Sequence, residues 1–282
     1  MPCLADHDWA VYYSPAEGLL VRRFYQPALA CAIRYDRRAG YFTATALTVA
    51  ARGIEGLILN EGRMRLVVGH TLAPEEVAAI EQGEDLKATL DASLQGVPLF
   101  APDQTREEAL ELLAWMVGHG HLEVKVAVPC DENRLPLPDV GLFHTKAGII
   151  EDKTGDRLLF NGSINETERA WRHNIESFHV HRSWAGGEQH IEAEEREFQT
   201  LWVNRARNVV TFDVPSAKRA ELLRHAPEDG LPARLARLDT APAPTAVSPD
   251  GPSRPSPAPS DGETPLEPRR LVWSYIHQAP RM

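Results

Sequence analysis

The chain reads as an α/β protein, a mixed sheet flanked by helices on both faces with a disordered C-terminal tail. Three observations carry this reading. Short runs that alternate or are rich in β-branched residues, such as 65–69, 122–128 and 209–214, are interleaved with longer helical patterns, the arrangement that layers helices on a sheet. Two strand-like runs, 147–150 and 157–161, bracket Glu151-Asp152-Lys153-Thr154-Gly155-Asp156, whose residues favour a tight hairpin turn. From about 241 to 268 the sequence is dominated by Pro, Ala, Ser, Asp and Gly, too few large apolar groups to offset the entropy of ordering.

In chain order, residues 9–21 lead into a short helix ending near Leu29, and 31–35 form a first strand. Residues 45–54 suit an alanine-rich helix that ends near Gly53 or Gly56. A second strand at 65–69 is followed by a helix opened by Pro74-Glu75-Glu76, with proline and acids in its first turn. Residues 82–97 read as helical, and 106–118 as an amphipathic helix with Leu110, Leu113 and Val117 on one side. Residues 122–128 alternate as a strand, and the hairpin is expected at the centre of the sheet. Asn165-Glu166-Thr167-Glu168 looks like a helix start, with an amide or hydroxyl cap followed by carboxylates. A long charged helix follows Glu188, and 209–214 form the last strand. The expected organisation is a domain at 1–215, a helical appendage at 216–240, a flexible linker at 241–268, and a short apolar tail at 269–282 that suits a docking peptide or the stub of a following domain.

Composition bounds the function classes. The 282 residues are 43% hydrophobic and 25% charged, ordinary for a globular protein with one good core. No apolar run is long enough to span a bilayer, and Met1-Pro2-Cys3-Leu4-Ala5-Asp6 lacks the basic-then-apolar pattern of a signal peptide. The expectation is a cytoplasmic protein without a membrane partner. Cys3, Cys31 and Cys130 are widely spaced and odd in number, which gives neither a disulfide framework nor a zinc pattern. The net charge of −10 argues against strong unaided DNA binding, because that affinity comes largely from phosphate neutralisation. A local basic site can coexist with an acidic exterior. Arg34, Arg37 and Arg38, with Arg169 and Arg172, are candidate phosphate contacts, a solvated surface position being the ordinary reading of each alone.

The chemistry concentrates in Phe143-His144-Thr145-Lys146 and Asn161-Gly162-Ser163-Ile164-Asn165. On a strand, residues i and i+2 share a face, so the His144 imidazole and the Lys146 ammonium converge on one side. The returning strand delivers Gly162, Ser163 and Asn165 to the same end. There glycine lets backbone approach a bulky anion, and a hydroxyl and an amide supply neutral hydrogen bonds. This stretch resembles the phospholipase D superfamily, marked by His-x-Lys, a following acidic residue and Gly-Ser-x-Asn. The acidic position falls to Glu151 or Asp152. Residues 174–180 look like the family's following strand, whose glutamate, which supports the active-site histidine, corresponds to Glu176.

The run from Phe143 to Trp202, with Asn165-Glu166-Thr167, Trp171 and Asn174-Ile175-Glu176-Ser177-Phe178, is most similar to the phospholipase D-like N-terminal domain of bacterial superfamily 2 helicases. The resemblance implies a metal-independent phosphodiesterase acting on nucleic acid, with DNA as the expected substrate, in a helicase-linked restriction or phage-defence system. His144, Lys146, Ser163, Asn165 and Glu176 would be catalytic, and Gly162, Arg169 and Arg172 would bind substrate. No cofactor and no metal are called for. The implied mechanism uses two histidines, and the chain holds only one His-x-Lys. A homodimer sharing one site across a two-fold axis is therefore expected. The competing reading is a non-catalytic nucleic-acid-binding or assembly module with a helicase partner; phospholipid hydrolysis lacks support, since no basic amphipathic membrane helix is present.

Other features have simpler explanations. His119-Gly120-His121 and His179-Val180-His181 lack further ligands at convincing spacing for zinc. Trp171, Trp184 and Trp202 suit core packing better than base stacking, and Glu192, Glu194, Glu195 and Glu197 suit the wet side of a helix.

Overall fold

Eight strands form one mixed sheet in the order β1-β7-β6-β5-β2-β3-β4-β8. They are β1 (Tyr12–Tyr13), β2 (Ala32–Ala39), β3 (Arg63–Gly69), β4 (Leu122–Pro129), β5 (Lys146–Asp152), β6 (Arg157–Gly162), β7 (Phe178–Arg182) and β8 (Val209–Asp213). The computed structural model describes residues 3–42, 44–70, 107–137, 146–214 and 222–227. The chain divides into two compact units, Met1–Ala241 and Pro242–Met282, and every described residue belongs to the first. The helices expected from Pro74 and at 82–97, the linker at 241–268 and the tail at 269–282 lie outside the described residues.

Strands β2, β3 and β4 are parallel. The β5–β6 hairpin runs antiparallel to β2 beside it, and β7, β1 and β8 pair antiparallel at the two margins. The mixed α/β fold read from the sequence is the one observed, with the hairpin strand β5 central. Because β5 opposes β2, its first residue, Lys146, lies at the carboxyl end of the parallel strands, where open α/β sheets bind ligands.

One face of the sheet is covered by α1 (Gln26–Cys31), α3 (Ala51–Leu59) and α5 (Glu168–Arg172). The core there is aromatic: Phe24, Phe160, Phe178, Tyr13, Tyr25 and Trp171 are all buried and in ring contact with one another. Each large ring contributes about 1.5–3 kcal/mol by leaving water. Two further helices, α2 (Ala44–Val49) and α4 (Glu107–Gly118), are joined in the same core through Leu47 and Leu112 to Met116. The opposite face is covered by α6 (Glu188–Trp202), whose Ile191 and Phe198 pack on β5, β6 and β3 residues.

Several expectations are corrected. The helix expected to end near Gly53 or Gly56 instead breaks at Ala50 and continues through both glycines to Leu59. Those glycines are points of close approach, since a Cβ on Gly53 would sit 2.8 Å from the Gln26 carbonyl and one on Gly56 2.6 Å from Ala30 Cα. The strand expected at 174–180 starts only at Phe178. Of the amide and hydroxyl caps open to α5, the hydroxyl of Thr167 is the one used, accepting the Ala170 N–H at 3.2 Å. The glutamates of α6 are not uniformly wet, because Glu194 and Glu195 pair with arginines of the sheet.

Candidate active site

The β5–β6 register sets Lys146 opposite Gly162 at the carboxyl end of β2. Gly162 is needed there for close backbone approach: a Cβ would lie 2.2 Å from the Ser177 carbonyl oxygen and 2.7 Å from Phe178 Cα. With glycine in place, the Ser163 N–H donates to the Ser177 carbonyl at 3.1 Å and the Ser177 N–H donates to Ser163 Oγ at 3.2 Å. The segment before β7 is thereby locked to the turn, which carries Glu176 to the site. The Ser163 hydroxyl donates to Glu176 Oε2, and Asn174 Nδ2 donates to Oε1 at 3.0 Å.

Asn165 faces the other wall. Its Oδ1 accepts the N–H groups of Gly40 at 3.0 Å and Tyr41 at 3.2 Å, which fixes the turn to the loop after β2. The amide therefore presents its Nδ2, unpartnered among the described residues, as a donor. The Lys146 ammonium is half-buried. Burial pushes its pKa below the usual lysine value, Glu176 pulls it up, and the Arg37 guanidinium adds a smaller downward push. The arrangement thus offers a cation, an amide donor, a serine hydroxyl and a carboxylate at one end of the hairpin, a set suited to an anionic ester.

Below the turn lies a group of residues to which sequence reasoning gave other roles. Arg37 and Glu166 are both fully buried, with Nε 2.9 Å from Oε2. The Tyr35 hydroxyl donates to Glu166 at 3.0 Å, the Tyr25 hydroxyl donates to its other oxygen, and Arg37 Nη2 donates to the Ile164 carbonyl. Burial pushes the Glu166 carboxyl well above the usual range and the Arg37 guanidinium below its own. Glu166, which the sequence places among first-turn helix carboxylates, lies before α5 and turns inward. The available signal was its alternation with Ile164, which puts both on the inward side of an extended segment.

His144 lies outside the described residues. Glu151 and Asp152 sit at the far end of β5, five and six residues from Lys146 and about 17–20 Å away at a strand's rise. Asp152 accepts from the N–H groups of Leu4 at 2.6 Å, Thr154 at 2.9 Å and Asp156 at 3.1 Å, so it pins the hairpin and the N-terminal segment. Glu151 pairs with Arg34 at 2.8 Å. Arg169 is exposed on α5, and Arg172 beside it is paired to Glu168 at 3.3 Å.

Among the other candidate phosphate contacts, Arg34 and Arg38 project to the opposite face, where Glu195 and Glu194 hold them. Their solvated reading also fails for Arg37 and Arg38, which are 0% and 6% exposed. Trp171 is buried, stacked on Tyr25 with ring centroids 4.0 Å apart. His119 and His121 stack against Trp115, and His181 stacks on His190 at 4.3 Å. Among the described residues no group of three His, Cys, Asp or Glu side chains could hold a metal ion, and no helix is long and apolar enough to cross a membrane.

Residues 81–202 match the family described as cardiolipin synthase, PLD-like domain. That segment contains every motif position from His144 to Glu176. No curated protein sequence matches the chain. Among solved structures, NucT from Helicobacter pylori is 16% identical, with 71% of this chain and 97% of that one covered at a TM-score of 0.39. Nuc from Salmonella typhimurium, a phospholipase D family member, is 15% identical, with 72% and 96% covered at 0.37. Phosphatidylserine synthase from Haemophilus influenzae is 13% identical, with 82% and 45% covered at 0.39.

Proposed function

We propose that this protein is a phosphodiesterase that cleaves nucleic acid, DNA being the expected substrate, through a phosphohistidine intermediate. The observation that supports it is the convergence of Lys146, Ser163, Asn165 and Glu176 at one end of the β5–β6 hairpin, with His144 two residues ahead of Lys146. The His144 imidazole attacks phosphorus, a P–N bond forms, and the P–O bond to the leaving group breaks. A second imidazole, from His144 of another copy, gives its proton to the leaving oxygen and then takes one from water. That water attacks the phosphohistidine, the P–N bond breaks, and a phosphate monoester leaves. Lys146 and Asn165 Nδ2 stabilise the equatorial oxygens as charge redistributes. Glu176, already accepting from Ser163 and Asn174, keeps a lone pair on each oxygen for the imidazole N–H. The helicase-linked defence setting rests on the sequence resemblance alone.

The test is cleavage of labelled single- and double-stranded DNA in EDTA, beside His144→Ala, with light scattering for the dimer and intact mass for a phosphate adduct. Cleavage by the native chain, absent from His144→Ala, is the expected result. No cleavage, or cleavage equal in both, defeats the reading. Binding that persists in His144→Ala without any cleavage by the native chain points to the assembly module instead.

A further inference from the structure

We propose that Arg37 and Glu166 are positioning residues of the phosphate site, a buried pair that fixes the Ser163-Ile164-Asn165 turn from below. The proposal rests on the phosphodiesterase reading and adds to it two residues outside the motif.

The geometry carries the argument. Arg37 and Lys146 stand on the same face of the sheet, because Arg37 is the register partner of Gly148, two residues along β5. Arg37 reaches the turn through one contact, Nη2 to the Ile164 carbonyl, between the two side chains that face the site. Glu166 reaches it through another: its own N–H donates to the Tyr41 carbonyl at 3.2 Å, and it bridges Phe42. Tyr41 is one of the two residues whose N–H groups orient Asn165. The pair thus holds the middle of the turn to β2 and the residue just after it to the loop that follows β2. Its base is rigid as well, with the guanidinium over the Phe160 ring at 4.9 Å and the carboxylate held by two tyrosine hydroxyls.

Stability alone does not account for such a pair. Desolvating two charges offsets most of their attraction, and apolar replacements of similar volume often fold as well. Arg37 Nη1 is buried and lacks a hydrogen-bond partner among the described residues. An uncompensated N–H beneath an anion site adds positive potential where water is excluded and fields reach furthest.

The experiment compares the full-length native protein with Glu166→Gln and with the double variant Arg37→Met/Glu166→Gln, in which no lone charge stays buried and Gln can still accept from one tyrosine hydroxyl and donate to the other. Folding is followed by circular dichroism, turnover on a labelled oligonucleotide, and anion binding by calorimetry with inorganic phosphate. The expected result is a folded double variant whose kcat falls about a hundredfold, as for a misplaced reacting group, with KM changed less than roughly threefold. The groups facing Lys146 are Glu176 and Arg37. Removing the Arg37 cation, which pushes Lys146 down, moves the alkaline limb of the pH profile upward.

A folded double variant with native kcat and an unmoved alkaline limb overturns the proposal while leaving the phosphodiesterase reading intact. If the native chain hydrolyses no phosphodiester, that reading fails by itself, and calorimetry then decides: loss of phosphate binding in the folded double variant upholds the positioning role, and equal or absent binding in both proteins overturns it.

Discussion

Arg37 and Arg38 are neighbours on β2, yet they serve opposite faces of the sheet and the two faces are built differently. Arg37 enters an aromatic core in which its pair with Glu166 is isolated from water. Arg38 joins a band of ion pairs under α6, with Glu194 at 2.5 Å and Glu197 at 3.7 Å, beside Arg34, Arg65 and Arg157 bound to Asp36, Glu151, Glu188 and Glu195. Many of those partners retain access to solvent. Charge on the α6 face is distributed and replaceable, so losing one member leaves the others to re-pair. On the site face, Arg37–Glu166 is, among the described ion pairs, the one with both side chains fully buried. The fold therefore places its least forgiving polar contact directly beneath the turn that bears Ser163 and Asn165.

The largest expected effect breaks the isolated pair. Arg37→Met leaves the Glu166 carboxylate buried without its cation and should cost about 3–5 kcal/mol at neutral pH. Urea unfolding at pH 7 measures it. A cost equal to that of Arg38→Met would erase the distinction between the faces.

A smaller loss, with a definite pH dependence, is expected on the α6 face. Arg38→Met should cost about 1–3 kcal/mol through a lost charge-assisted bond. Burial raises the Glu194 carboxyl above its ordinary value, and Arg38 opposes that rise. A carboxyl with a raised folded pKa contributes stability that is present at low pH and lost as pH rises through that pKa. Removing Arg38 raises it further, so the deficit of Arg38→Met against the native protein should widen from pH 4 to pH 8. A deficit that narrows over that interval would mean that Glu194 finds another cation.

This division between faces was only partly visible in the sequence. Period-two alternation and the Glu151-to-Asp156 turn specify the β5–β6 hairpin, and its motif puts Lys146, Gly162, Ser163 and Asn165 together because a hairpin's register allows little else. Local patterns could not specify contacts set by distant residues. The two-residue β1 exists only as a partner for β7. Gly53 and Gly56 resemble helix ends until α1 lies against them. Three consecutive-looking arginines, 34, 37 and 38, read alike until strand pleat and the α6 carboxylates separate them. The contacts of Glu176 with Ser163 and Asn174 were not legible, since they depend on how the loop before β7 crosses the turn.

The mildest change tests whether the site's reach extends onto α5. Arg172 is exposed and its bond to Glu168 is an i,i+4 pair, so Arg172→Ala should alter stability by only about 0.2–0.5 kcal/mol. Any larger effect on catalysis must then come from substrate. If Arg172 contacts a phosphate of bound nucleic acid, the variant raises KM with kcat held, and the slope of log KM against log salt falls by roughly one ion. An unchanged slope would remove Arg172 from substrate recognition and leave it a surface residue of a helix that covers the aromatic core through Ala170 and Trp171.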